Sequence, residues 1–307
     1  ANDRNPILSS RHLSYDYWIN STGHADMVEL PNGDWRMVCL GIRNEANRAS
    51  NMGRETLILP IKWEKEPYWW KEIKYNWPVC NPLTGKIEKQ YPYFLTINDA
   101  TYEPVKKEYE FQENTLPINW THRRVNLENS YSLNIRPGYL SMYCLSDTIK
   151  ERSPYNFIGI KQKETHFETS TTMQFKPSIN GEEAGLCLIQ KDDNYLLFDI
   201  RHEDNENVLR LVINAKKKNA ILKKDLVMGK KYKNYIELKV ILKENKYHFY
   251  YRYQSNDLWE LFDTANSDLL LSQGYTGTHI GLYATSNGEK STNFASFDVF
   301  KLSYLSP

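Results

Sequence analysis

His24 and Asp26 stand in Gly23-His24-Ala25-Asp26, and Arg54 and Glu55 stand in Met52-Gly53-Arg54-Glu55-Thr56. An imidazole, two carboxylates and a guanidinium on short extended segments suit a polyol, because they offer donors and acceptors in fixed directions. Arg54 is the strongest single candidate. Its planar fork of five donors matches vicinal hydroxyls or a carboxylate. Its bland reading is a salt bridge to Glu55 or Asp26, but neighbours 54 and 55 on a strand point to opposite faces, which disfavours Glu55. On chemistry alone His24 reads first as a hydrogen-bonded structural histidine rather than a ligand. Asp26, two residues on, shares its strand face and would orient the imidazole.

The elements that must position these groups are short strands. Residues 27–30 and 36–40 are apolar or alternating and flank Pro31-Asn32-Gly33-Asp34. Asn-Gly between two such runs predicts a hairpin. A third strand is expected over 56–63. Trp35 and Trp63 read as core of this sheet, and Arg43 as a strand-end charge.

These residues carry a resemblance. Asn5-Pro6-Ile7-Leu8, Arg11-His12, the Gly-His-Ala-Asp hairpin and Gly-Arg-Glu-Thr are similar to the last part of the catalytic propeller of glycoside hydrolase family 43. The likeness is to its β-xylosidase and α-L-arabinofuranosidase members. Trp77-Pro78-Val79, Asn81-Pro82-Leu83-Thr84-Gly85-Lys86, Leu116-Pro117-Ile118-Asn119-Trp120 and Ile135-Arg136-Pro137-Gly138-Tyr139-Leu140 continue it. Glu183-Ala184-Gly185-Leu186 and Gly274-Tyr275-Thr276-Gly277 resemble the family's C-terminal concanavalin-like sandwich.

The resemblance implies an inverting exo-hydrolase of xylose- or arabinose-containing glycans. Such an enzyme needs two carboxyl groups roughly 6.5–9.5 Å apart. In the family the base, the pKa-tuning aspartate and the acid come from earlier blades of a five-bladed propeller, and no residue here matches them. No catalytic residue is therefore assigned; Asp26 and Glu55 match supporting positions. Arg54 is expected in the substrate pocket and His24 near the propeller axis, where it could help hold a calcium ion through a largely aqueous shell. Tyr275 matches the position of an aromatic, usually Phe, that walls the pocket.

The expected fold is all-β: a partial β-propeller over 1–63, an irregular connector over 64–115 and a concanavalin-like antiparallel sandwich over 116–307. Strand-like runs at 139–144, 165–175, 184–190, 195–201, 208–213, 235–242, 247–253, 259–262, 279–284 and 297–302 recur about every ten residues, as in a sandwich. The aromatic run 247–253 is expected to be covered on both faces. In the connector, Trp69-Trp70 could stack on sugars or pin the segment to a neighbour. A lone blade leaves apolar side chains exposed at ~1.5–3 kcal/mol each, against a usual stability of about 5–15 kcal/mol. Residues 1–63 are thus expected to pack against a second polypeptide or missing blades. A non-catalytic carbohydrate-binding protein and an interaction module are the alternatives.

Composition narrows the remaining classes. The 307 residues carry a formal net charge of +1, so no long-range field recruits nucleic acid. Lys216-Lys217-Lys218 and Lys223-Lys224 read as a solvated sheet face. No apolar run approaches the ~20 residues of a membrane span. Ala1-Asn2-Asp3-Arg4 reads as a processed start, and Asn20-Ser21-Thr22 and Asn119-Trp120-Thr121 are glycosylation sequons. With the family's extracellular substrates, these give an expectation of secretion. Cys39, Cys80, Cys144 and Cys187 are widely spaced, without a Cys-x-x-Cys pair. Free buried thiols are expected, with one disulfide as the alternative.

Overall fold

The computed structural model describes residues 5–64, 76–91, 106–215 and 220–305. Trp69-Trp70 and Lys216-Lys217-Lys218 lie outside these. The chain divides into two compact units. Residues 1–102 with Ser272–Thr276 form the first, and the remainder forms the second.

The first unit is a four-stranded antiparallel meander of Ile19–Glu29 (β1), Trp35–Arg43 (β2), Arg54–Glu64 (β3) and Trp77–Cys80 (β4), in sequence order. That is the strand order of one propeller blade. The Asn-Gly signal marks the β1–β2 loop, where Gly33 has φ +84° and donates its N–H to the Leu30 carbonyl at 2.8 Å. A left-handed residue at this point is why glycine stands there. One sheet face carries Met37, Cys39, Leu59, Ile61 and Cys80, and Leu8, Tyr17, Trp18 and Ile87 pack over it. Trp35 and Trp63 join that cluster edge to face, 5.2 Å between centroids. Opposed residues set the other face: Val38 pairs with Ile58 and Arg36 with Pro60. There Val28 and Ile58 are exposed, while Arg36 on the same side is buried.

The second unit begins with Lys106–Tyr109 (β5), Thr121–His122 (β6), Tyr131–Ser132 (β7), Leu140–Tyr143 (β8) and Phe157–Lys161 (β9). It continues with Phe167–Gln174 (β10), Glu183–Lys191 (β11), Asn194–Glu203 (β12), Glu206–Ala215 (β13) and Ala220–Val227 (β14). Tyr235–Lys243 (β15), Lys246–Arg252 (β16), Glu260–Asn266 (β17), His279–Thr285 (β18) and Phe294–Tyr304 (β19) complete it. One antiparallel sheet runs β17-β16-β15-β10-β19-β8-β7, with β5 also on β19; the other runs β14-β13-β12-β11-β18-β9-β6. Their facing sides interdigitate in one large core that includes Leu186, Phe198, Leu238, Phe249 and Phe297. Two sheets closed over such a core make a sandwich.

Every strand-like run read from the sandwich sequence overlaps an observed strand. The stretch expected as connector is divided instead: β4 completes the first sheet and β5 joins β19. The aromatic run 247–253 differs from expectation. Tyr247, Phe249 and Tyr251 enter the core, whereas His248, Tyr250 and Arg252 are only half-buried on the other side. β9 and β18 meet through Gly159 and Gly281, where a Cβ on Gly159 would come 2.7 Å from the Ile280 carbonyl oxygen. Only glycine permits that approach.

Candidate functional site

Two bulges shape β1. Between Asn20 and Gly23, and again between Gly23 and Asp26, β1 advances three residues while β2 advances two. Each extra residue is accommodated by a left-handed position, Ser21 and His24, both at φ +54°. Positive φ is uncommon outside glycine and costs energy the surroundings must supply, so paired bulges point to a purpose beyond the sheet. The first bulge turns Asn20, Ser21 and Thr22 into a groove of about 780 Å³. Arg11, Arg48, Gln273 and Tyr275 also line it.

The segment Ser272–Thr276 is fastened along the approach to β3. Ser50 and Ser272 exchange backbone hydrogen bonds at 3.0 and 3.3 Å, and Gln273 Nε2 donates to the Asn47 carbonyl at 3.2 Å. Arg54 N–H then donates to the Tyr275 carbonyl at 3.1 Å, and the Arg54 guanidinium lies 4.5 Å from the Tyr275 ring centroid. The Tyr275 ring remains 68% exposed. A guanidinium over an exposed aromatic gains about 0.5–1 kcal/mol, enough to favour one orientation of a long side chain.

The groove is cationic and hydroxyl-rich. No Asp or Glu is among its described lining residues, so the carboxyl pair of an inverting hydrolase is not found among them. Asn20 is only 3% exposed, and its Nδ2 has no hydrogen-bond partner among the described residues. A buried donor left unpaired costs about 1–3 kcal/mol, a deficit that an incoming hydroxyl would remove. The same burial argues against Asn20 as a glycan acceptor. Asn119 is half-buried and its Nδ2 donates to Tyr109 Oη at 2.8 Å.

Of the residues singled out in the sequence, Arg54 and Tyr275 are brought together. His24 and Asp26 are exposed on the second bulge and do not line the groove. That bulge also interrupts the alternation on which their shared face was inferred, and the Asp26 carboxylate accepts the N–H of Met27 at 2.8 Å. Glu55 is held by Arg43, whose Nε and Nη2 reach its two oxygens at 3.1 and 2.7 Å. Arg43 is thus a bidentate tie rather than a loose strand-end charge, and Arg54 is left to Tyr275. Among the described residues no cluster of three or more His, Cys, Asp or Glu could hold a metal ion. His24 stands as a single exposed imidazole, outside any such cluster among the described residues.

Sequence reasoning did not find Arg11, Arg48, Asn20 or Gln273 as groove residues. Arg48 follows Asn47 in a pair of left-handed residues, at φ 51° and 59°, within a polar loop between two strand runs. That Asn-Arg loop is the signal that could have drawn attention.

The comparisons with known proteins decide the family. Residues 108–303 match the model described as the beta-xylosidase C-terminal concanavalin A-like domain, and residues 1–68 match that of glycosyl hydrolases family 43. The chain belongs to glycoside hydrolase family 43. A xylosidase/arabinosidase of Butyrivibrio fibrisolvens is 30% identical over 97% of this chain and 55% of its own length. A non-reducing end α-L-arabinofuranosidase of Bacteroides ovatus is 28% identical over 96% of the chain and 53% of its own. Among solved structures, the Bacteroides ovatus xyloglucan PUL GH43B superposes with a TM-score of 0.84 at 27% identity, over 99% of this chain and 57% of the other. A family-43 protein of Bacillus licheniformis gives 0.81 at 25% identity, over 98% and 56%. This family-43 chain spans about half the length of the curated relatives it matches.

Proposed function

We propose that this chain is the closing portion of an inverting, exo-acting family-43 hydrolase that removes terminal xylose or arabinose from hemicellulose-type glycans. The observation that carries this reading is the Arg54–Tyr275 stack, fixed by a backbone hydrogen bond beside a groove that holds cations and hydroxyls but no carboxylate. Arg54 would donate to two hydroxyls of the terminal sugar, and Tyr275 would offer an apolar wall with one polar edge. Asn20 Nδ2 would gain the acceptor it lacks. His24 is retained as a contact to groups beyond this chain, with Asp26 beside it.

Inversion requires an acid to protonate the leaving oxygen while a base takes a proton from the attacking water. Upstream blades, on the same or a second polypeptide, would supply both groups. The exposure of the apolar Val28 and Ile58 on one side of the first sheet supports that arrangement. An extracellular enzyme with a glycan at Asn119 fits the same reading.

The test is reconstitution with 4-nitrophenyl β-xyloside and α-L-arabinofuranoside. The chain alone is expected to release no nitrophenol. Joined to the upstream blades of its own gene, it is expected to hydrolyse at least one of them. Turnover by the isolated chain, or none by the joined protein in a folded state, would overturn the reading.

A further inference from the structure

Among the described residues β14 is the outermost strand of its sheet and pairs with β13 alone, which leaves one side of its backbone without a strand partner there. Such an edge is usually blunted by charge, a bulge or a cover. This one is regular and apolar at both ends: Ile221 is 71% exposed, Leu222 46%, Leu226 38% and Val227 59%. Lys223, Lys224 and Asp225 occupy its centre, and the Lys223 Nζ and Asp225 carboxylate, on one face, are 2.8 Å apart.

The order Ile221-Leu222-Lys223-Lys224-Asp225-Leu226-Val227 is complementary to its own reverse. We propose that two copies of this chain pair through β14, antiparallel about a two-fold axis at Lys224, joining their sheets into one. In that register Lys223 lies opposite the second copy's Asp225, Leu222 opposite Leu226, and Ile221 opposite Val227. Directly opposed residues share a face. Register with β13 puts Leu222 and Leu226 on the side of Ile213 and Leu209, which belong to the core. Leucine therefore meets leucine over the core side, and the ion pairs form on the outer side.

Neighbouring registers are worse. Moving the axis by one residue places Lys223 against Lys223, or Asp225 against Asp225, and sets an apolar residue against a charge. Lys224 on the axis raises no such conflict, because its Nζ is turned back to the Phe262 carbonyl at 2.7 Å and the Asp263 carboxylate at 3.3 Å. A two-fold interface of this kind uses one patch twice and closes the edge.

Sedimentation velocity of the full chain over a concentration series tests the pairing. The wild type is expected to sediment as a dimer. Lys223→Asp and Asp225→Lys each place like charges across the axis and are expected to weaken the dimer at least about ten-fold. Mixed together, the two variants are expected to form a heterodimer of wild-type strength, since aspartates then face lysines throughout. Ile221→Lys, checked for native circular dichroism, is expected to dissociate the dimer as well. A wild type that stays monomeric overturns the proposal. So does a dimer that these variants leave intact, or a mixture that fails to associate.

Discussion

The backbone N–H of Arg54 donates to the carbonyl of Tyr275 at 3.1 Å while its guanidinium covers the Tyr275 ring at 4.5 Å from the centroid. Residues 221 positions apart are thereby fixed as one wall. The ring orients the guanidinium, and the guanidinium limits the ring's freedom, so neither acts alone.

That coupling makes a prediction for the ring. Tyr275→Phe in the enzyme carrying all its blades keeps the stack and is expected to leave kcat/KM for an aryl xyloside or arabinoside within about two-fold. Tyr275→Ala removes both the shelf and the restraint on Arg54, and is expected to lower kcat/KM about ten-fold, or roughly 1.4 kcal/mol. Steady-state kinetics on both variants, with circular dichroism to confirm folding, checks the pair.

How much of this was legible in the sequence depended on which force set each feature. The β1–β2 hairpin could be read because alternation and Asn32-Gly33 are local signals. The two bulges could not: Gly23, the residue that invites a turn, is flanked by the left-handed Ser21 and His24, which pairing with β2 imposes. β9 was missed because Phe157-Ile158-Gly159-Ile160-Lys161 is short and centred on a glycine whose role is the close approach of β18. The Arg54 pocket assignment came from the resemblance to Gly-Arg-Glu-Thr. The exclusion of Glu55 came from strand geometry, and the Arg43–Glu55 tie explains where that carboxylate goes instead.

All four cysteines are free and buried. Burial raises the Cys80 thiol to about 11, with Cys39 beside it adding to the effect, and drives the Cys187 thiol well upward. The thiolate is the reactive form. Folded protein is therefore expected to react slowly with a chromogenic disulfide reagent at pH 8, and protein unfolded in guanidinium without reductant to show four thiols. A count of two would mean a disulfide.

Asp199 is fully buried on β12, with the Arg210 Nε 3.6 Å from its Oδ1. Arg210 also pairs with Glu183. Burial first, and the Glu183 charge second, raise the Asp199 carboxyl well above its ordinary range, against the opposing pull of Arg210. The folded form thus holds a proton that the unfolded chain releases near pH 4. Stability from this group is full below that pH and is lost as pH rises toward the folded-state value, by at most about 1.4 kcal/mol per pH unit. Urea unfolding between pH 4.5 and 8.5 is expected to show Asp199→Asn gaining on the wild type as pH rises. Parallel curves would contradict the protonated assignment.

The most direct measurement is kcat/KM for 4-nitrophenyl β-xyloside and α-L-arabinofuranoside by the enzyme joined to its upstream blades, wild type against Arg54→Ala. The proposed contact of the Arg54 guanidinium with the terminal sugar predicts a fall of about ten-fold or more, from roughly 1.5–3 kcal/mol of lost interaction. Unchanged kinetics in a variant with native circular dichroism would contradict the account.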